Sequence, residues 1–150
     1  MTVRVQTGDF DIGAEMAALT AGRTDLGAVV SFTGIVRGGG AEPIAAMTLE
    51  HYPGMTETEL ERIEAEACDR WPLSASLIVH RHGRLEPGDN IVLVITASAH
   101  RQAAFEAASF LMDYLKTSAP FWKKEDRADG DSGWVEEKTS DNAARERWNA

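Results

Sequence analysis

The sequence predicts an α+β fold, in which strands and helices follow one another in mixed order rather than in regular alternation. Three observations carry this. Residues 27–36, 74–82 and 90–98 are apolar runs rich in β-branched side chains, bounded by turn formers, as expected of strands buried in a sheet. Residues 56–70 and 101–116 instead repeat apolar side chains every three or four positions, the period of a helix with one buried stripe. At 150 residues, 43% hydrophobic and 26% charged, the chain can bury one core and reads as a single domain over 1–150.

The elements follow in order. Gly27-Ala-Val-Val-Ser-Phe-Thr-Gly-Ile-Val36 is a largely buried strand, and Arg37-Gly-Gly-Gly-Ala-Glu-Pro43 a loop loosened by three glycines. In residues 44–52, Met47, Leu49 and His51 alternate with Thr48, Glu50 and Tyr52, a second strand that Pro53-Gly54 ends. Thr56 stands three residues before Glu59, the spacing of a capping box, and Leu60, Ile63 and Ala67 continue the helix to residue 70. Trp71-Pro72 closes it, because proline disfavours helical geometry in the residue before it. Strands 74–82 and 90–98 are joined through the turn Glu86-Pro-Gly-Asp89. From Arg101, the side chains of Ala104, Phe105, Ala108, Leu111, Met112 and Leu115 share one side of a helix ending near Lys116, since Pro120 follows. Phe121 to Lys124 is irregular or extended, Trp134-Val135 a short strand after Gly130 and Gly133, and 141–148 a last short helix. No repeat, low-complexity tract or linker interrupts the chain.

Composition narrows the function. One cysteine, Cys68, excludes an internal disulfide and a thiolate-rich zinc site. No apolar run follows a basic segment near Met1, and no window approaches the roughly 20 apolar residues of a membrane span. The expectation is a soluble, cytoplasmic protein. A net charge of −9 with a sequence pI of about 4.9 argues against a nucleic-acid partner. Yet Arg101, Lys116, Lys123, Lys124 and Arg127 fall in one stretch. A local basic pocket of that kind suits a small anion; a solvated helix face is the alternative.

Among candidate reactive residues, His80 and His82 share a strand face but lack a third metal ligand, and read as partly exposed histidines. Cys68 has no neighbouring base and reads as a small buried side chain. There is no nucleophile elbow and no phosphate loop. Ser98-Ala-His-Arg101 lies where a strand gives way to a helix, so free amides, His100 and Arg101 could hold an anion; alternatively Ser98 merely caps the helix. Lys116 and Lys123 flank an apolar aromatic stretch. Held against such a wall they could act as acid, base or amine, or simply snorkel to water. Local physics leaves both choices open.

The runs Val29-Val-Ser-Phe-Thr-Gly-Ile-Val-Arg37, Leu49-Glu-His-Tyr-Pro-Gly-Met55, Ala97-Ser-Ala-His-Arg101 and Met112-Asp-Tyr-Leu-Lys-Thr-Ser-Ala-Pro-Phe-Trp-Lys123 resemble the catalytic, large subunit of molybdopterin synthase. The resemblance runs from about Gly27 to Trp148, leaving out roughly the first 25 residues and the glycine loop. It implies a hammerhead-type α+β fold with an added antiparallel β subdomain. It also implies an enzyme, a sulfurtransferase of molybdenum cofactor biosynthesis. Such an enzyme inserts two dithiolene sulfurs into cyclic pyranopterin monophosphate, taking them from the C-terminal thiocarboxylate of a small ubiquitin-like sulfur-carrier subunit. The implied assembly is a homodimer within a heterotetramer, without metal or organic cofactor.

Carried onto this chain, the resemblance puts substrate contacts at Ile35, Val36, Arg37, His100, Arg101, Lys116, Lys123, Lys124 and Glu125. Lys116 would be the central catalytic group and Lys123 its support, with His100 and Arg101 reaching the pocket from the neighbouring protomer. Two departures stand out: Lys138 occupies a position often arginine in relatives, and Ile35 one that is basic in some. Two other classes compete, a non-catalytic module docking a ubiquitin-like partner and a phosphate-ester hydrolase. The two lysines speak against the first, and the lack of a metal cluster or nucleophile against the second.

Overall fold

The computed structural model describes residues 2–39, 43–127, 130, 132–135 and 139–149. Gly40 in the glycine loop and Lys138 lie outside the described residues. The strands are β1 (Thr2–Gln6), β2 (Ala28–Ile35), β3 (Ile44–His51), β4 (Leu73–Arg81), β5 (Gly83–Leu85), β6 (Asn90–Ser98), β7 (Phe121–Arg127) and β8 (Ser132–Val135). The helices are α1 (Ile12–Thr20), α2 (Met55–Arg70), α3 (Arg101–Thr117) and α4 (Thr139–Glu146), followed by a 3-10 turn over Arg147–Asn149. The α+β expectation holds. β1, α1 and β5 have no counterpart in the sequence reading, being too short for periodicity to resolve.

Two four-stranded sheets result. The larger has the order β1-β4-β6-β2, with β1 parallel to β4 and the other pairs antiparallel. The smaller, β5-β3-β7-β8, is antiparallel throughout.

The central strands of the larger sheet are buried on both faces, which is why they read as continuous apolar runs. Along β6, Val92 and Val94 join Ile78 of β4 and pack with Leu60, Ile63, Phe110 and Leu111 of α2 and α3. Leu93 and Ile95 point the other way, with Leu77, Val79 and Phe10, against Ile12, Met16 and Leu19 of α1. A separate small core, Val36, Met47, Leu49 and Leu85, holds the second sheet. The loop after β2 is clipped to the 86–89 turn, where the Val36 amide donates to the Asp89 carbonyl (2.9 Å) and the Gly88 amide to the Val36 carbonyl (2.8 Å). A Cβ on Gly38 would stand 2.6 Å from Pro87 Cβ, so this approach needs glycine.

The start of α2 departs from the expected capping box. Gly54 caps the helix at φ 85°, a conformation open to glycine, and its amide donates to the Glu57 carboxylate (2.5 Å). Thr56 is fully buried instead; its hydroxyl accepts from the Tyr52 amide (3.0 Å) and donates to the Pro120 carbonyl (3.1 Å). That bond ties α2 to the segment leaving α3. Glu59 pairs with Arg62 (2.6 Å). Trp71 is extended, as a residue before proline should be.

At the C-terminal side, Trp148 stands edge-on to Trp71 and Phe110, and its indole N–H donates to Asp113 (2.6 Å). Arg147 pairs with the same carboxylate (3.0 Å), so α3 anchors the terminal turn. No helix among the described residues is long and apolar enough to cross a membrane.

Candidate functional site

Where the end of α3 meets the second sheet, the packing leaves a cavity of about 420 Å³. Lys116 enters it from the last turn of α3, one turn after Met112, and Lys123 enters from β7. Met47 and Leu49 of β3, Ile91 and Val92 of β6, and Met112 and Leu115 of α3 form apolar walls. Gly34 and Ile35 of β2, Val135 of β8 and Asp141 of α4 also line it. Two ammonium groups therefore converge on one cavity of mixed polar and apolar lining, both still reached by water, where they can stabilise a developing negative charge. Lys123 Nζ lies 3.5 Å from Glu125 Oε1, two residues on and thus on the same strand face. This pairing orients the ammonium.

The other expected site residues are spread more widely. Val36 packs into the small core rather than into the cavity. Arg37 is exposed on the following loop. Lys124 sits opposite Trp134 in the β7–β8 register and, by strand alternation, on the face away from Lys123. His100 and Arg101 are exposed at the start of α3, bordering a separate open depression with Gln102, Phe105 and Glu106. Ser98 accepts from the His100 amide (3.0 Å) and donates to its carbonyl (2.7 Å). It thus braces the turn before the helix, while His100 itself occupies the capping position with no side-chain cap.

The histidine reading needs correction. His80 is buried, 7% exposed, and lines the cavity. Its ring stacks on Phe121 with centroids 3.8 Å apart and planes 18° apart. His82 packs against His51 with centroids 4.1 Å apart and planes tilted by 42°, and His51 lies 6.4 Å from Phe121. Burial pushes the His80 imidazole down to about 4, with Lys116, His82 and His51 adding like-charge repulsion against its donated bond to Arg81. No group of three His, Cys, Asp or Glu among the described residues could hold a metal ion. Cys68 is half-buried, and burial, then the Glu64 carboxylate, pushes its thiol up, away from nucleophilic use.

Phe121 and Asp141 were not found by sequence reasoning, and His80, weighed there only as a metal ligand, was not placed in the cavity. The ring stack joins residues far apart in the chain, and Asp141 reaches the cavity only through the docking of α4. No local pattern signals either.

The chain compares as follows with known proteins. The profile described as "MoaE protein" matches residues 5–118. A molybdopterin synthase catalytic subunit of Mesorhizobium japonicum is 62% identical over 148 residues, covering 98% of this chain and 92% of that one. One from Escherichia coli K12 is 54% identical over 140 residues, covering 93% and 92%. Among solved structures, the molybdopterin biosynthesis MoaE protein of Burkholderia ambifaria is similar at a TM-score of 0.84 and 54% identity, covering 99% of this chain and 98% of that one. Molybdopterin synthase of Staphylococcus aureus follows at 0.80 and 31%, covering 89% and 96%. The match to the Mesorhizobium protein takes in nearly all of the first 25 residues, which the sequence resemblance had left out.

Proposed function

The chain belongs to the MoaE family of molybdopterin synthase catalytic subunits, and from that premise we propose how its cavity carries out the reaction. The protein is an enzyme of molybdenum cofactor biosynthesis. The observation that carries the mechanism is the convergence of Lys116 and Lys123 on one cavity. The substrate is cyclic pyranopterin monophosphate. Each sulfur arrives as the C-terminal thiocarboxylate of a small ubiquitin-like subunit, whose tail enters the cavity.

The thiocarboxylate sulfur bonds to a pterin side-chain carbon as that carbon's bond to an oxygen substituent breaks and the oxygen departs. Water then adds to the acyl carbon and the acyl carbon–sulfur bond breaks, leaving the sulfur on the pterin and a carboxylate on the small subunit. Lys116 faces the acyl group and stabilises charge developing on its oxygen. Lys123, held by Glu125, supports it as acid, base or fixed charge. Because the sulfur is delivered on a protein, the step uses no metal or organic cofactor.

The phosphate is held by Arg37 together with His100 and Arg101 of a second copy of the chain, where guanidinium forks match phosphate oxygens. Two features support that dimer: His100 and Arg101 lie away from the lysine cavity of their own chain, and Phe32, Ile35 and Phe105 are exposed on β2 and α3. With one small subunit per copy the assembly is a heterotetramer, acting in the cytoplasm as one domain per chain. Ile35 lines the cavity mouth; Val36 contributes backbone only, and Lys124 reaches substrate only from the outer sheet face.

The test is incubation of the protein with thiocarboxylated small subunit and the pyranopterin, with and without chelator, followed by assay for dithiolene product. Product that forms regardless of chelator supports the reading. Absence of product, or activity that one metal alone restores, overturns it. Light scattering reports the dimer.

A further inference from the structure

His80 has no part in the mechanism above, yet it stands in the wall of the same cavity as Lys116. Its ring is fixed twice. The stack on Phe121 sets its plane, and Nδ1 lies 2.8 Å from the Arg81 carbonyl oxygen. A carbonyl only accepts, so Nδ1 carries the hydrogen and Nε2 of the neutral ring is left as an acceptor.

The groups that bear on the ring from the neighbouring elements are mostly cationic or can become so, the Asp141 carboxylate of α4 being the acidic group that lines the same cavity. Lys116 comes from α3, Lys123 shares the cavity from β7, and His51 and His82 stand beyond Phe121, with Glu57 3.8 Å from His51. Protonation of His80 would add a further charge to that set on a ring that is itself buried. The ring therefore stays neutral at physiological pH, and a neutral acceptor beside an ammonium has one evident use.

We propose that His80 is a positioning residue for Lys116, its Nε2 accepting a hydrogen bond from the ammonium and aiming that group at the acyl oxygen of the incoming thiocarboxylate. The proposal rests on the catalytic reading of Lys116. An accepted bond favours the protonated lysine, so it also sets the pH at which the ammonium is lost.

Two substitutions separate the roles. His80→Phe keeps the ring stack and removes the acceptor; His80→Gln returns an acceptor at the Nε2 position. In single-turnover assays with thiocarboxylated small subunit, His80→Phe should lower the rate at least tenfold with the KM for the small subunit unchanged. It should also move the alkaline limb of the rate–pH profile to lower pH, and His80→Gln should restore both. A His80→Phe rate within threefold of wild type with an unmoved limb overturns the proposal. If Lys116→Ala itself retains the rate, the catalytic reading of Lys116 falls instead.

A second measurement needs no substitution at His80. In histidine-15N-labelled protein, Nδ1 of His80 should be protonated and Nε2 unprotonated from pH 6 to 8, and Lys116→Ala should shift the Nε2 resonance. Protonation at Nε2, or a resonance unmoved by Lys116→Ala, overturns the proposal even where His80→Phe does not fold.

Discussion

The two sheets of this molecule solve different problems. The larger is sandwiched, with α2 and α3 on one face and α1 on the other, and four successive β6 residues from Val92 to Ile95 are buried. Such a strand meets the cavity only at its first residues, Ile91 and Val92. The smaller sheet has only a four-residue core. It spends its other positions on charge and aromatic surface: Lys123 and Glu125 toward the cavity, and Lys124, Trp122 and Trp134 on the other face, both tryptophans exposed. The site lies at the seam. One lysine is borne by a helix of the stable core and the other by a strand of the lightly packed sheet, and core residues such as Val92, Leu115 and Leu49 double as walls of the cavity between them.

Substitutions can break the contrast between the two sheets. Lys116→Ala should cost about 100- to 1000-fold in rate, roughly 3–4 kcal/mol, as expected for loss of one preorganised donor. Its melting temperature and its affinity for the small subunit should stay near wild type. A single-turnover rate within about threefold of wild type would remove Lys116 from the mechanism and make Lys123 the candidate. Leu111→Ala, in the sandwiched core, should do the reverse and destabilise by about 3 kcal/mol, with Leu49→Ala in the smaller core costing less. Equal losses in denaturant titration would erase the contrast between the sheets.

Buried His80 tests the larger sheet through pH. Its folded pKa, about 4, lies below its ordinary 6.5, so the unfolded chain binds the proton first. Stability is complete above pH 6.5 and is lost as pH falls toward 4, by roughly 3 kcal/mol from this group. His80→Phe should flatten that part of the stability–pH curve. Arg37→Ala, on an exposed loop, should raise KM for the pyranopterin about tenfold, near 1.4 kcal/mol, and lower kcat less. An unchanged KM would take the phosphate contact away from Arg37.

The smallest effect is at Glu64, whose carboxyl burial pushes up although Ser76 donates to it at 2.6 Å. A raised folded pKa means stability falls as pH climbs past 4.5. Glu64→Gln should remove that decline and leave stability at pH 4 unchanged.

The large sheet was legible in the sequence because two-sided burial writes itself as unbroken apolar runs, and α2 and α3 because one-sided burial writes itself at helical spacing. The start of α2 misled. Thr56 and Glu59 have the right chemistry and spacing for a cap, but a glycine free to adopt φ 85° took the capping position and left Thr56 to bind Pro120 across the fold. In the site, the lysines stood out as charge beside aromatic residues, but local pattern left their role open and only the family resemblance chose it. The places of His80, Phe121 and Asp141 in the site were not legible, because a stack or a cavity wall is a property of tertiary packing. The separation of His100 and Arg101 from the lysines is likewise invisible in a linear pattern that lists all four within 24 positions.

The strand order of the larger sheet bears on how the chain reaches its native state. β1 and β2 are its two edges, and their partners come much later in the chain: Thr2 faces Leu77 and Ala28 faces Ser98. On the ribosome both early strands emerge long before anything exists for them to pair with. Closing such distant contacts is entropically slow, and unpaired apolar strands are prone to capture by other chains. Folding of this sheet therefore waits for β6 to be synthesised, and the interval in which nascent chains can aggregate is set by translation time.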